Sequence, residues 1–265
     1  MSGTKRILVI PDVHGRTFWK EPVGRYLDDV DRVVFLGDYL DPYSDEGVKY
    51  SAMGILDNLM EIIDLKRNHA EKVVLLKGNH DQHYASEKFY ELACGTRCDT
   101  VNWDAFHAVF NEYRDLFKLV HLEEVKGIPY LFSHAGITLY WLHEVNTRIW
   151  KMADNLVSID NPEIVEKINA LDDCGKGQEM LAIVGRSRSW FGEKSGSVLW
   201  ADVGEHHTPD TPNAYGLNKV FQIFGHTRLY MEPIEIIELD NLAMIDSLQC
   251  FMIDESANEK IVPVR

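Results

Sequence analysis

The stretch Arg32-Val33-Val34-Phe35-Leu36-Gly37-Asp38-Tyr39-Leu40-Asp41 joins a short apolar run to a polar turn. A continuous apolar run that ends at a glycine is typical of a buried β-strand. The glycine permits a sharp turn and a close approach of the backbone to its neighbours. Asp38 and Asp41 are therefore predicted to lie just beyond the carboxyl end of a strand.

The same arrangement of apolar run and polar segment occurs four more times along the chain. The apolar runs are residues 7–10, 72–76, 130–132 and 220–224. The polar segments that follow them are Asp12-Val13-His14, Gly78-Asn79-His80-Asp81, Ser133-His134-Ala135-Gly136 and Gly225-His226-Thr227. Together the five segments place two Asp, one Asn and three His at strand ends. Such a set of oxygen and nitrogen donors is suited to two divalent metal ions.

The spacing of apolar residues between these segments predicts the fold class. Helical spacing lies between the second and third runs, in Ile55, Leu56, Leu59, Ile62 and Ile63. Strand, helix and strand in this order imply βαβ units, so the chain is predicted to be an α/β protein with a mostly parallel core. In open α/β sheets, sites gather at the carboxyl ends of the strands, which is where the polar segments are predicted.

The rest of the chain adds helices, a hairpin and a long insertion. Residues 102–117 have the spacing of an amphipathic helix, and Lys126-Gly127 predicts a tight turn between strands at 118–125 and 128–132. Further strands are predicted at 234–239, 242–245 and 250–253. We interpret residues 1–265 as a single domain in which 138–218 form a helical and loop cap between two ligand segments; a plain structural insertion is the alternative.

Composition excludes several classes of protein. The 265 residues carry a net charge of −15, which disfavours binding to nucleic acid polymers. No apolar run approaches the roughly 18 residues of a membrane span, and the N-terminus lacks the pattern of a signal peptide. Four cysteines in a chain of this length indicate reduced thiols and a cytoplasmic protein. Cys94 and Cys98 could share a helix face, but no second cysteine pair accompanies them to complete a zinc site.

The donor groups can be assigned to cations from their spacing. Asp12 and His14 are two residues apart, so on an extended strand end both point toward one cation. The two carboxylate oxygens of Asp38 could bridge two ions, while Asn79 offers a neutral carbonyl oxygen. His134 and His226 supply further nitrogens from later strand ends. Mixed nitrogen and oxygen ligands suit Mn²⁺, our first choice, and also Fe or Zn²⁺.

The ordered set of motifs resembles the calcineurin-like metallophosphoesterase superfamily. Within it, Gly37–Asp41 and Lys77–Asp81 are similar to the phosphoprotein phosphatase branch, and Leu199-Trp200-Ala201-Asp202 is similar to it as well. The resemblance implies a four-layer αββα sandwich of two mixed sheets flanked by helices. Many members carry a second His in the last motif, where this chain has Arg228. The phosphatase branch also lacks a His at that position.

The resemblance also implies how the ligands divide between two metal ions. One ion would be held by Asp12, His14 and Asp38. The other would be held by Asp38, Asn79, His134 and His226. Two cations of this kind activate a water molecule and clamp phosphate oxygens.

Proton transfer and phosphate binding need further residues. His80, beside the ligand Asn79, is the candidate general acid, oriented by Asp41 or Asp81; the resemblance favours Asp41. The phosphatase pattern has Arg directly after the second Asp of its Gly-Asp motif, where this chain has Pro42. The candidate substitutes are Arg16, Arg228, Arg186 and Arg188. His206-His207 is interpreted as an exposed loop pair.

These observations predict a metal-dependent hydrolase of phosphoric esters, similar to Ser/Thr phosphatases. Its substrate would be a phosphoprotein or a small phosphate ester, and a nucleotide or dinucleoside polyphosphate is the alternative. A non-catalytic scaffold with the same fold should have lost metal ligands or the general acid, whereas all six ligands and His80 are present. A redox or zinc module at Cys94 and Cys98 is a third hypothesis.

Overall fold

A computed structural model describes residues 4–44, 50–90, 96–151, 159, 162–206, 214–229, 237–239 and 241–264. Cys94, His207 and the first half of the strand predicted at 234–239 lie outside these residues. The chain divides into two compact units, Met1–Lys118 with Leu248–Arg265, and Leu119–Ser247. None of the described helices is long and apolar enough to cross a membrane.

Helices and strands alternate through most of the chain. In chain order they are β1 Arg6–Ile10, α1 Lys20–Tyr26, β2 Arg32–Phe35, α2 Ala52–Asn68, β3 Val73–Leu76, α3 Asn79–Ala85, α4 Glu87–Tyr90, α5 Trp103–Glu112, β4 Phe117–Lys118, β5 Val120–Val125, β6 Ile128–Ser133, α6 Leu139–Val145, α7 Pro162–Asn169, α8 Gly175–Leu181, β7 Phe221–Phe224, β8 Ile237–Leu239, β9 Leu242–Met244, β10 Phe251–Asp254 and β11 Val262–Pro263.

The first unit contains a six-stranded mixed sheet in the order β11-β10-β1-β2-β3-β4. Strands β1 to β4 run parallel, and β10 pairs with β1 in the antiparallel direction. Alternate strand residues, such as Leu8, Val33 and Leu75, share one apolar core with Ile62 of α2 and Phe106 of α5. Both faces of β1 to β3 are buried, which explains their uninterrupted apolar sequences.

The helix predicted over 102–117 ends earlier than expected. α5 stops at Glu112, and a 3₁₀ turn at Arg114–Leu116 leads directly into β4. The physical reason is tertiary pairing, because Phe117 aligns with Leu75 of β3 and so leaves the helix. The apolar residue that completes the helical pattern belongs to the sheet.

The second unit contains a five-stranded mixed sheet in the order β5-β6-β7-β9-β8. The predicted hairpin between β5 and β6 is confirmed, since Lys126 (φ 54°) and Gly127 (φ 76°) both have the positive φ of a type I′ turn. β6 and β7 run parallel, and residues 138–218 connect them. This connection holds α6, α7 and α8; the last helix was not predicted.

Two mixed sheets with flanking helices confirm the predicted α/β class. The five polar segments follow β1, β2, β3, β6 and β7, each at the carboxyl end of its strand. Within each unit, the sheet therefore brings its own polar segments to one edge.

Candidate active site

The loops after β1 and β2 are joined by main-chain hydrogen bonds. The N–H of His14 donates to the carbonyl oxygen of Asp38 at 2.6 Å, and that of Gly15 donates to Tyr39 at 2.8 Å. His14 (φ 46°) and Asp38 (φ 51°) both adopt positive φ, which is costly for residues with a Cβ. Such strain persists where surrounding contacts hold the backbone in place, and the hydrogen bonds between the two loops do so here.

Three buried donor groups meet at this pair of loops. Nε2 of His14 lies 3.4 Å from Oδ2 of Asp38 and 4.0 Å from Oδ2 of Asp12. Asp12, His14 and Asp38 each offer an atom within 4.8 Å of the others. Nδ1 of His14 donates to the carbonyl oxygen of Leu40 at 2.8 Å, so Nε2 is the nitrogen that faces the carboxylates.

The electrostatics of this cluster fit a divalent cation. Burial lowers the pKa of His14 well below its ordinary value, and the charges of His80, Arg16 and Arg97 lower it further. The imidazole is thus neutral, which is the form that binds a metal. Two buried carboxylates beside a neutral ring need compensation, because isolated buried charges are costly. Carboxylate oxygen and imidazole nitrogen are donors that Mn²⁺, Fe and Zn²⁺ accept.

Two glycines allow the third loop to approach the second. A Cβ on Gly78 would lie 2.0 Å from Oδ1 of Asp38, and a Cβ on Gly37, at φ 107°, would lie 2.4 Å from the Gly78 nitrogen. The loop after β3 can therefore contact the loop after β2 only with glycine at both positions. Asn79 begins α3 directly after this contact and is buried.

Asp81 ties the second and third loops together. Its Oδ2 accepts hydrogen bonds from the N–H groups of Asp38 at 2.7 Å and Gly78 at 2.8 Å. Its Oδ1 accepts from Tyr39 at 2.8 Å. Burial and the neighbouring Asp38 raise the pKa of Asp81 well above its ordinary value, and the three N–H donors lower it in part. Asp81 therefore positions the Asp38 loop and does not contact the His80 ring nitrogen as Asp41 does.

His80 and Asp41 form a buried hydrogen-bonded pair. Nδ1 of His80 donates to Oδ2 of Asp41 at 2.7 Å, and the main-chain N–H of His80 donates to Oδ1 of Asp38 at 3.0 Å. The hydroxyl of Tyr84 donates to Oδ1 of Asp41 at 2.5 Å. Burial and Asp41 raise the pKa of Tyr84, so its phenol stays protonated as a donor. The pair is fixed on both carboxylate oxygens, which leaves Nε2 of His80 for chemistry.

The second unit brings two predicted histidines together. His134 follows β6 and His226 follows β7, and the N–H of Gly225 donates to the carbonyl oxygen of His134 at 2.8 Å. Nε2 of His134 lies 3.1 Å from Nδ1 of His226. Both side chains are buried, and His226 adopts a positive φ of 69°. Two imidazole nitrogens this close together can share one metal ion.

The Leu199–Asp202 motif lies beside this histidine pair. The Trp200 ring meets the His226 ring edge-on, with centroids 6.1 Å apart. Oδ2 of Asp202 pairs with Arg188 at 3.2 Å and accepts from the hydroxyl of Thr227 at 3.4 Å. Arg188 also donates to Thr227, which follows His226 in the chain. Arg188 is thus held against the segment Gly225-His226-Thr227.

The other predicted arginines have different surroundings. Arg16 is buried, and its guanidinium donates to the carbonyl oxygens of Val13 at 2.9 Å and Asp12 at 3.0 Å, which braces the first loop. Arg186 is exposed, and Arg228 is half-buried. The role of these three guanidinium groups toward phosphate stays a prediction.

The structure bears on two expectations about single residues, the exposure of His206 and the reactivity of Cys98. His206 was expected to be exposed, which is wrong: its Nε2 contacts the carbonyl oxygen of Ala135 at 3.1 Å, and its ring stacks on Phe224 at 4.8 Å. A Cβ on Gly136, at φ 80°, would lie 2.4 Å from the His206 ring, which explains the glycine. Burial raises the pKa of the Cys98 thiol to about 11, so it is not a reactive thiolate.

Several residues of the site were not found from the sequence. Tyr84 and Arg97 contact Asp41 from other segments, and Glu205 joins three loops of the second unit. Neither spacing nor motif marks them, since each acts through a contact made in the folded chain. Asp81 was considered because of its place in Gly78-Asn79-His80-Asp81, but its contacts with the Asp38 loop were not expected.

Comparison with known proteins identifies the family. A protein serine/threonine phosphatase from Saccharomyces cerevisiae with similarity to human phosphatase PP5 has a similar structure, with a TM-score of 0.50 and 14% sequence identity over 99% of this chain and 80% of that one. At this identity the likeness concerns the fold. No match was found among curated protein sequences. The model of the calcineurin-like phosphoesterase family matches residues 5–230. The chain belongs to the calcineurin-like phosphoesterase family and is a hydrolase of phosphoric ester bonds.

Proposed function

We propose that this enzyme is a two-metal phosphatase that hydrolyses phosphomonoesters in the manner of Ser/Thr phosphatases. The observation that carries the proposal is the buried group Asp12, His14 and Asp38, next to the His80–Asp41 pair. Carboxylates, a neutral imidazole and an oriented second histidine are the groups that metal-assisted hydrolysis requires. Family membership supports the same chemistry.

We propose the same division of ligands between two metal ions that the family resemblance implies. Asp12, His14 and Asp38 would hold one ion. Asp38, Asn79, His134 and His226 would hold the second, in which the close pair of imidazoles supplies the nitrogen donors. When bound, the two ions would activate a water molecule and neutralise phosphate charge. Mn²⁺ is the proposed metal, and Fe and Zn²⁺ fit the same donors.

His80 would carry the proton to the leaving oxygen. Because Nδ1 donates to Asp41, the ring is fixed and Nε2 is the position that holds the transferable proton. Tyr84 holds the other oxygen of Asp41, so the carboxylate cannot rotate away from the imidazole. Asp81 is a positioning residue, since it orients the main chain of Asp38 and Gly78.

A nucleotide or dinucleoside polyphosphate is the second candidate substrate, and one observation favours it. Trp190 and Phe191 are fully exposed, at 101% and 100%, whereas Trp141 is buried. Core packing therefore explains Trp141 but not this pair. Exposed aromatic rings can stack a base. Arg188, two residues before Trp190, is tied to Thr227 beside His226. Residues 138–218 would then act as a substrate-recognition cap.

Hydrolysis of p-nitrophenyl phosphate tests the core of the proposal. The purified enzyme should show turnover that depends on added Mn²⁺ and is lost with a chelator. Asp38→Asn should reduce turnover to background, because Asp38 contacts His14 and accepts from His80. Asp115→Asn is a matched control, since the Asp115 side chain is 96% exposed. Unchanged turnover in Asp38→Asn, or no turnover with any divalent metal in folded protein, would contradict the proposal.

A substrate panel separates the two candidates. Phosphoserine and phosphothreonine peptides, mononucleotides and diadenosine polyphosphates would be compared by kcat/KM. Trp190→Ala with Phe191→Ala should weaken kcat/KM for nucleotides if the rings stack a base, and Trp150→Ala is a cap control. A preference for phosphopeptides that this double variant does not alter would favour the leading candidate.

A further inference from the structure

Arg97 contacts the residues on both sides of Pro42. Its Nε donates to the carbonyl oxygen of Asp41 at 3.3 Å. Its guanidinium carbon lies 3.7 Å from the centre of the Tyr43 ring, well within the range of a cation–π contact. A hydrogen bond and a stacked ring therefore fix the guanidinium from two directions.

The segment that carries Arg97 is attached to the proposed acid pair. The N–H of Asp99 donates to the Tyr84 hydroxyl at 2.7 Å and approaches Oδ1 of Asp41 at 3.4 Å. Asp41 in turn accepts the hydrogen bond from His80. Arg97 is thus bonded to the main-chain carbonyl of Asp41, the residue whose carboxylate orients His80, although the two lie 56 residues apart in sequence.

The Tyr43 ring connects Arg97 with a metal ligand. Its edge-on contact with the His14 ring has a centroid distance of 4.9 Å. Arg16 approaches the same ring at 5.8 Å, but its side chain donates to the Val13 and Asp12 carbonyl oxygens. Arg97 is exposed, and its two terminal nitrogens have no hydrogen bond or ion pair within the described part of the chain. These two donors are available to a ligand.

We propose that Arg97 is a substrate-binding residue whose terminal nitrogens hold the phosphate group of the ester. The inference rests on the proposed function. A phosphate dianion that approaches Asp12, Asp38 and Asp41 requires positive charge and directed donors, and the planar fork of arginine matches phosphate oxygens. Pro42 occupies the place where the phosphatase pattern has its arginine. Arg97, bonded to the preceding carbonyl and stacked on the following ring, supplies the missing guanidinium from another segment.

The test compares Arg97→Ala and Arg97→Lys with Arg114→Ala, an exposed arginine of the same unit, 61% accessible, that pairs with Asp115. KM and kcat would be measured with p-nitrophenyl phosphate and Mn²⁺. Binding of inorganic phosphate to each Mn²⁺-loaded protein would be measured by calorimetry, which needs no turnover. Thermal unfolding would verify that each variant is folded.

Arg97→Ala should raise KM and the phosphate dissociation constant about 10- to 100-fold, the range that a charged hydrogen bond covers. Arg97→Lys should recover part of the loss, because it keeps the charge but not the fork. Millimolar guanidinium added to Arg97→Ala should restore affinity, which a purely structural role would not produce. Arg114→Ala should match the wild type.

The outcomes separate the two proposals. If the wild type hydrolyses the ester and Arg97→Ala leaves KM and phosphate affinity unchanged, the assignment of Arg97 is wrong and the function stands. If the wild type shows no hydrolysis but phosphate binding depends on Arg97, the function is wrong and the anion site stands. Absence of both hydrolysis and phosphate binding in the folded wild type overturns both.

Discussion

In each unit of this enzyme a carboxylate accepts three main-chain hydrogen bonds and joins separate loops. In the first unit, Asp81 accepts from Asp38, Tyr39 and Gly78. In the second unit, the donors to Glu205 are Ser187 at 3.1 Å, Gly196 at 2.8 Å and Asp202 at 3.2 Å. In both, one oxygen accepts two bonds and the other accepts one. The hydrogen-bonding chemistry is the same, but the surroundings differ.

Burial distinguishes the two carboxylates. Asp81 is 0% exposed and lies close to a second carboxylate, Asp38, which raises its pKa. Glu205 is half-buried, so water can replace a lost hydrogen bond. An unsatisfied buried donor costs more than one that water reaches. Loss of a carboxylate oxygen is therefore expected to cost more at Asp81 than at Glu205.

The largest effect is expected at His80, the residue that the buried arrangement of the first unit presents for chemistry. His80→Gln should lower kcat by about 10²- to 10⁴-fold with a phosphoserine peptide, the usual contribution of a general acid. The loss should be smaller with p-nitrophenyl phosphate, because p-nitrophenolate leaves readily without a proton. Steady-state kinetics with both substrates measure the difference.

Equal losses with both substrates would show that His80 supports the site without donating the proton. Bound metal, measured by elemental analysis, would verify that the variant keeps its ions. His107→Gln serves as the control, since Nδ1 of His107 contacts the main-chain carbonyl oxygen of Tyr84 at 2.7 Å and its ring stacks on Trp103.

The comparison itself can be tested with matched amide variants. Asp81→Asn must turn its NH₂ group toward at least one main-chain donor, which leaves a buried N–H without an acceptor. We expect this variant to lose about 1–3 kcal/mol of stability and about 10- to 100-fold in metal affinity or activity. Glu205→Gln makes the same exchange at a half-buried position, so both losses should be clearly smaller. Chemical denaturation and metal titration of the two variants measure them.

Equal losses of stability and of metal affinity in the two variants would contradict this expectation, because burial would then not determine the cost of the lost hydrogen bond. A larger effect of Glu205→Gln would show that its three hydrogen bonds stabilise the protein more than those of Asp81. Since both changes convert a carboxylate to its amide and neither alters size, differences in packing do not complicate the result.

The contrast also explains how much of the enzyme could be predicted from its sequence. Buried strands were found because their apolar runs are continuous, and the polar segments at their ends were found because glycines and polar residues follow those runs. The chain reversal at Lys126-Gly127 has its own local signal. By contrast, Phe117 completed a helical pattern and yet joined β4, because pairing with Leu75 overrode local spacing. Arg97 and Glu205 act only through contacts between distant segments, which no local pattern records.

The smallest effect concerns His83, which is buried in the first unit behind the acid pair. Burial, together with the charge of His80, lowers the pKa of His83 from 6.5 to about 4. Its Nδ1 donates to the carbonyl oxygen of Phe89 at 3.2 Å, and its Nε2 lies 3.3 Å from the Thr96 hydroxyl. The folded state therefore favours the neutral ring, and the unfolded chain binds up to one more proton where the pH lies between the two pKa values.

The stability that depends on neutral His83 should thus be complete above pH 6.5 and should fall as the pH falls toward about 4. The slope from this group is at most about 1.4 kcal/mol per pH unit. Urea unfolding of the metal-free protein from pH 7 to pH 4 measures it, and His83→Gln should remove this part of the slope, because glutamine does not titrate. If the free energy of unfolding has the same pH slope in wild type and variant, protonation of His83 does not destabilise the fold. The interior around His83 would then accommodate a charge more easily than its burial indicates.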